Sequence, residues 1–408
     1  MTEGRDPDVD TERSAYLDYS ATTPVDQRVI DAMMPHWTEG WGNPNSLYRQ
    51  GRDAYRALES ARESFATGIG AANPTEVIFT GAGTESDNAA VLGIARAGKA
   101  RGKGNHVVVS AIEHKGILEP ADLLSKQGFD VTYLKPREDG VVYAEDLRAV
   151  VSEDTVLVSV MHVNNEIGTI APISELAAVA HEVGGYFHTD AVQSLGKVPF
   201  DAAGFGIDAA SFSAHKMYGP KGVAALYLKR GTPFQPLLIG GGQESKKRSG
   251  TQNVAGAVGF AKALELMLQE MPSETLRLTA LRDRVIDGIT GSMPNTMVNG
   301  TMEAGSHAPH IANIVIKGVE GESMLLQLDN RGIAISTGSA CSSGSLEPSH
   351  VLLAIGCPAE LAHGSLRISL GRFTTPDQVE YLIEVLPAIV ERLRAMSPVY
   401  AKMFGDKS

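Results

Sequence analysis

With 408 residues, 43% of them apolar and 21% charged, the chain has the make-up of a soluble globular protein. It is too long for one small core and should form a large domain plus a smaller one. A formal net charge of −12, with a short KKR run at 246–248 as its dense basic cluster, excludes nucleic acid as a partner.

Residues 1–14 are polar and acidic, without an apolar segment of signal length, and are expected to be a disordered tail. No apolar stretch reaches bilayer-spanning length, so no membrane association is expected. The two cysteines, Cys341 and Cys357, offer neither a disulfide framework nor a CxxC metal knuckle, which predicts a cytoplasmic protein without a metal site.

In chain order, the pattern predicts a short strand at 15–18 and a helix at 26–37 that starts close to Pro24. GNPNS at 42–46 reads as a turn, residues 47–69 as a long helix and 76–80 as a buried strand. GAGTES at 81–86 then supplies a turn and a helix start that runs to about residue 97. Strands follow near 106–110, 130–134, 155–160, 186–189, 208–212 and 223–228, with helices between several of them, as at 115–126 and 173–183. That alternation predicts an α/β fold, a mainly parallel sheet with helices on both faces. Helical patterns at 254–270 and 274–289 lead into a smaller α+β region. Its strands fall near 311–316, 332–336 and 365–369, with helices at 321–330 and at the end. The expected division is 15–262 and 263–408, with the first strand able to join the second part. A Ser/Gly run at 336–345 is expected to be flexible.

Three stretches carry chemistry. In SFSAHKMYGPKG, residues 211–222, an apolar strand delivers Ser213, His215 and Lys216 to a turn. A lysine at a strand end can act as an amine nucleophile if its surroundings lower its pKa, although an isolated loop lysine is more often simply solvated. FHTDAVQS, residues 187–194, puts Asp190 and Gln193 just past a strand, where Asp190 can be a helix N-cap or the partner of a buried cation. GAGT, residues 81–84, brings Gly83 and Thr84 to a helix start, where backbone N–H groups can receive a phosphate or merely open the helix. A lysine, a buried aspartate and a phosphate cradle are the parts of a pyridoxal 5′-phosphate site. Arg367, in the apolar strand SLRISL, requires an anionic partner, either a substrate carboxylate or a structural acid. His114, in IEHKG, reads on its own as an ordinary surface histidine.

With VMHVNNEIG, RSGTQN and GSACSSGS, these motifs resemble, in order and spacing from about residue 16 to 373, the cysteine desulfurases of the iron–sulfur assembly type. Those are class-V aminotransferases of fold type I that use pyridoxal 5′-phosphate. The resemblance implies that Lys216 carries the cofactor as a Schiff base and removes the Cα proton of L-cysteine. It implies that Asp190 holds the pyridine nitrogen protonated, that His114 stacks on the ring and moves protons, and that Asn165 and Gln193 meet the ring's O3′ side. The phosphate falls to Gly83, Thr84, Ser213 and His215, and to Thr251 of a partner subunit, hence a homodimer. Arg367, with Asn43 and Asn165, takes the substrate carboxylate. Cys341 accepts the sulfur as a persulfide and hands it to an iron–sulfur scaffold or another acceptor protein. Cys357 reads as a packing residue. An aminotransferase without need of Cys341, a selenocysteine lyase and a non-catalytic scaffold are the rival readings. Two positions depart from the family's habit: Tyr48 stands where histidine is frequent, and Ser245 where arginine is.

Overall fold

The computed structural model describes residues 13–337 and 347–404. Its strands are β1 (Ala15–Tyr16), β2 (Val77–Thr80), β3 (His106–Ser110), β4 (Asp130–Leu134), β5 (Thr155–Ser159), β6 (Tyr186–Asp190), β7 (Ala209–Ser213), β8 (Ala224–Leu228), β9 (Thr296–Val298), β10 (Ile311–Ile316), β11 (Ile333–Ala334) and β12 (Ser365–Ser369). Seven of them form one sheet in the order β2-β8-β7-β6-β5-β3-β4. Within it β8 runs antiparallel to both of its neighbours, and the other pairings are parallel.

Alternation along the strands divides the apolar side chains between the two faces. Val77, Phe79, Val108, Val158, Phe212 and Tyr227 join one core. Ile78, Val107, Val109, Leu157, Ala209 and Leu226 join the other. With both faces covered, β3, β5, β7 and β8 are buried at every position. This is why their sequences read as continuous apolar runs. Because β2 and β7 flank the reversed β8, the carboxyl ends of β2, β3, β5, β6 and β7 all lie along one edge of the sheet. Ligands of open α/β sheets bind at such an edge.

A third core gathers Leu278, Leu281, Val285 and Ile289 with Ile314, Leu328, Leu366, Ile368, Leu382 and Leu386. Its antiparallel sheet has the order β12-β10-β9. Ala15 and Leu17 belong to this core, and β1 pairs in parallel with β11, so the first strand does join the C-terminal part.

Several expectations change at the element level. The two helices expected at 254–270 and 274–289 are one helix, Val254–Ser292, with Pro272 inside it. The sequence suggested a break because the polar stretch 272–275, with its proline, separates the apolar residues that join the first core, up to Met267, from those that join the third, from Leu278. The expected division at 262–263 falls within this helix, and we propose that the domains divide where the core changes. The helix expected at 26–37 is two, Gln27–Met33 and Pro35–Thr38, since Pro35 has no N–H to continue the first. β9 was not anticipated, and Asp190 closes β6 rather than following it.

Candidate active site

β7 ends at Ser213, and a single tight turn, Ala214–Lys216, carries the lysine off the sheet edge. The chain is fixed on both sides of it. The Thr23 N–H and Oγ1 both donate to the His215 carbonyl, at 2.9 and 3.1 Å. Tyr218, two residues on, is held at φ 61°, a left-handed conformation that a bulky residue adopts only under constraint. That constraint comes from its N–H donating to Thr23 Oγ1 at 2.7 Å, from Arg372 stacked 4.4 Å from its ring centroid, and from its hydroxyl accepting the Arg372 N–H at 2.6 Å. Lys216 Nζ donates to the Ser20 and Ala21 carbonyls at 2.6 and 2.7 Å, so the amine is held over the sheet edge.

Asp190, at the end of β6, is buried and accepts the Val192 N–H at 2.8 Å. Burial pushes its carboxyl above the usual range, and His114, the Val192 amide and Lys216 pull it back. Its local hydrogen bond is the one a helix-capping aspartate makes, yet burial and the facing basic side chains equip it to hold a cationic ligand. His114 is the N-cap of helix Lys115–Lys126: its Nδ1 accepts the Gly116 N–H at 2.9 Å. That bond leaves the proton of the neutral ring on Nε2.

Gln193 is buried, with its Nε2 donating to the Ser20 carbonyl at 2.9 Å, the same oxygen that Lys216 meets. Asn165 sits in a turn shaped by Asn164, whose Oδ1 accepts the N–H groups of Glu166 and Ile167 at 2.9 and 3.0 Å. The Asn165 carbonyl accepts from Arg367 Nη1 at 3.2 Å, which ties the turn to β12. The other terminal nitrogen of Arg367 pairs with Asp18 at 2.8 Å, while its buried Nε finds no acceptor among the described residues. Arg367 is therefore part of a structural ion pair and still holds an unused donor.

Helix Gly83–Ala100 opens on the exposed Thr84 with no side-chain cap, so its first N–H groups face outward. Gly83 is pressed against its neighbours: a Cβ there would come within 3.2 Å of Val192 and 3.3 Å of Ser213. His215, on the same edge, is held neutral. Burial, then the charges of Lys216, Lys221 and Lys197, bring it down to about 4, and its Nδ1 contacts Thr22 Oγ1 at 3.1 Å. Asn43 and Thr251 occupy exposed loops, linked through the bond from Asn45 Nδ2 to Gln252 Oε1 at 3.0 Å. Cys341 lies outside the described residues. Cys357 is buried in a small apolar cluster with Ile112, Val351 and Leu352.

Residues 15–382 match the class-V aminotransferase model. The chain belongs to the class-V aminotransferase family. It is 50% identical over 386 residues to the cysteine desulfurase IscS of Dictyoglomus turgidum, covering 95% of this chain and 97% of that one. Among solved structures it is similar to a NifS-like protein, with a TM-score of 0.87 and 36% identity over 93% of this chain and 100% of that one. It is also similar to SspA, solved in complex with cysteine, with a TM-score of 0.77 and 34% identity over 89% of this chain and 100% of that one. The fold is fold type I of the pyridoxal phosphate enzymes, and the cofactor is pyridoxal 5′-phosphate. The site fits that group. A buried carboxylate, an amine held on backbone carbonyls, an uncapped helix start and a neutral histidine share one sheet edge.

Four buried groups beside the site escaped the sequence reading. Asp87 and Glu113 are fully buried acids, each with one carboxyl oxygen lacking a hydrogen-bond partner among the described residues. Glu166, directly after Asn165, accepts from Ser349 Oγ at 2.6 Å, and Lys197 donates to Gln193 at 3.1 Å. The available signal was a charged residue inside an otherwise apolar run, as for Lys197 in LGKVPF.

Proposed function

We propose that this protein is a pyridoxal phosphate-dependent cysteine desulfurase, which converts L-cysteine to L-alanine and passes the sulfur to an acceptor protein for iron–sulfur cluster assembly. The observation that carries the reading is the convergence on one sheet edge of Lys216 and Gln193, which share the Ser20 carbonyl, with Asp190 and the basic side chains that face it. When bound, the cofactor supplies an electron sink for the charge left at the substrate Cα. Lys216 anchors it and moves the Cα proton, and Asp190 keeps the ring nitrogen protonated. Gln193 and Asn165 meet the O3′ side, and the Nε2 proton of His114 lies on the face where substrate protons are exchanged. Gly83, Thr84, Ser213 and His215 receive the phosphate, with Thr251 from a second copy in a homodimer. Arg367 and Asn43 orient the substrate carboxylate. In this reading the Cys341 thiolate attacks the substrate sulfur and carries it as a persulfide, while the substrate's Cβ–S bond breaks, its electron pair stays with the carbon skeleton and protonation gives alanine.

Among the described residues no helix is long and apolar enough to cross a membrane. Together with just two cysteines in the chain, this supports a cytoplasmic location.

The test is mass spectrometry of the Cys341 peptide after brief exposure of the pyridoxal phosphate-loaded protein to L-cysteine without reductant, alongside alanine release. A gain of one sulfur at Cys341, lost in Cys341→Ser and kept in Cys357→Ser, supports the reading. Amino transfer to a keto acid with no sulfur gain replaces it with an aminotransferase. Turnover confined to selenocysteine replaces it with a selenocysteine lyase.

A further inference from the structure

The structure assigns Lys197 as a positioning residue that sets which end of the Gln193 amide faces the reacting centre. This rests on the proposed role of Gln193 at the O3′ side. Gly196, at φ +74°, turns the chain so that a Cβ there would lie 2.7 Å from Met267, and the N–H groups of Lys197 and Val198 both donate to the Ser194 carbonyl, at 2.9 and 3.0 Å. The Lys197 side chain is thereby driven inward and is buried. Its Nζ meets Gln193 Oε1 at 3.1 Å.

The Lys197 amine donates N–H bonds whether charged or neutral, and while charged it cannot accept; a backbone carbonyl only accepts. The Gln193 amide is therefore fixed from both ends: its oxygen must face Lys197, and its nitrogen must face the Ser20 carbonyl, 2.9 Å away. The second Nε2 hydrogen is left free to donate to a ligand oxygen on that side. If Lys197 did not donate, the amide could reverse and bring its own oxygen toward an anionic phenolic oxygen. The chain Lys197–Gln193–Ser20 carbonyl–Lys216 ends on the reacting amine, through a 2.6 Å contact.

An amine buried at this position is costly, and an apolar side chain would pack there without that cost. Burial, followed by the charge of Lys216, brings the Lys197 amine down to about 7. The other side of Lys197 borders a cavity of about 30 Å³, which is room for ordered water, lined also by His310, Tyr218, Met267, Glu270 and Arg372. The charged and titratable groups facing Lys197 are thus Lys216, His215, His310, Arg372, Glu270 and, on the cavity's far wall, Glu274. No carboxylate hydrogen-bonds to its Nζ among the described residues, so stabilisation by ion pairing does not account for it.

The experiment follows the visible absorbance of the pyridoxal phosphate-loaded protein against pH, which reports how tightly the Lys216 Schiff base holds its proton. A donor at O3′ weakens that hold, and so does a cation near Lys216, so Lys197→Met is expected to raise the midpoint by about one pH unit. Gln193→Leu should raise it similarly, and the double variant by clearly less than the sum. Lys197→Gln, which keeps an N–H donor without charge, should restore most of the wild-type midpoint. An unmoved midpoint in Lys197→Met, or a Lys197→Gln shift as large as that of Lys197→Met, overturns the inference. An unmoved midpoint in Gln193→Leu overturns instead the reading of Gln193 on which it rests. Should Lys197→Met not load cofactor, Lys197→Gln measured against Gln193→Leu decides alone: a full Gln193→Leu-sized shift overturns the inference, and a near-native midpoint supports it.

Discussion

Replacing Glu166 by Gln should make the protein more stable at high pH and leave it unchanged at low pH. Glu166 is buried beside Asn165, and its Oε2 accepts a hydrogen bond from Ser349 Oγ at 2.6 Å. Burial raises its carboxyl from an ordinary 4.5 to about 7, against the opposing pull of the Ser349 bond, Arg367 and His114. An acid whose pKa is raised on folding binds more protons folded than unfolded between those two values. Stability therefore falls as pH climbs from about 4.5 to 7 and is level above that. The displacement corresponds to about 3 kcal/mol at pH 8, to order of magnitude. Glutamine has the same shape, carries no charge at any pH, and its amide oxygen can still accept from Ser349. Unfolding by urea from pH 5 to pH 9, for wild type and Glu166→Gln at equal pyridoxal phosphate concentration, gives the difference in stability. The buried His188 and His162, held down to about 3 and about 4 by burial, destabilise the fold as pH falls, but they cancel in that difference. A wild-type-minus-variant difference that stays constant across the pH range would refute the argument.

Asp190→Asn should fold normally, since it replaces a buried carboxylate with a neutral side chain. It should slow exchange of the substrate Cα proton with solvent deuterium by about 1000-fold, or about 4 kcal/mol in the barrier; NMR of L-cysteine in heavy water measures this, and wild-type exchange would remove Asp190 from its role. Glu244→Gln should cost about 2–3 kcal/mol in urea unfolding, because it removes the buried anion of the Arg62 guanidinium and leaves it only the partly exposed Glu59, 3.1 Å from its Nε. Arg62 pairs with both Glu244 oxygens, at 2.6 and 2.9 Å, so a double variant that also carries Arg62→Met should recover much of the loss.

The large sheet was legible because its strands are short apolar runs separated by helical patterns, and burial on both faces makes such runs unambiguous. Lys216, Asp190, Gln193 and His114 were legible as motif positions, and the structure adds what holds them. The Asn164 side chain folds the Asn165 turn, the Gly116 amide fixes the His114 tautomer, and the left-handed Tyr218 fixes the lysine turn. The first two bonds span two residues, but a side chain of that type makes such a bond in only some turns, and the Tyr218 conformation depends on partners 195 and 154 positions away, Thr23 and Arg372. The pairing of Arg367 with Asp18 spans 349 positions, and so does not show in either motif. The helix Val254–Ser292 runs on through Pro272 because apolar residues on the same helical face pack against one core before it and another after it, which the local sequence does not show.

Asp190 is one of four buried acids beside the site, with Asp87, Glu113 and Glu166, and electrostatics distinguishes it from the first two. Burial raises the pKa of Asp87, Glu113 and Asp190 alike, and their mutual repulsion raises those of Asp87 and Glu113 further. Asp87 has the Ser211 hydroxyl to offset this, and Glu113 the Met161 amide. Asp190 alone of these three is offset by basic side chains, His114 first and Lys216 after the Val192 amide, so when one of the three carries the charge it is Asp190. Two neighbours kept neutral then act against any second negative charge, because ionising either would place like charges together at buried positions. A protonated ring nitrogen strengthens the same assignment, since it favours the ionised form of the acid it touches. The acid at the end of β6 is thus selected as much by its neighbours' neutrality as by its own position.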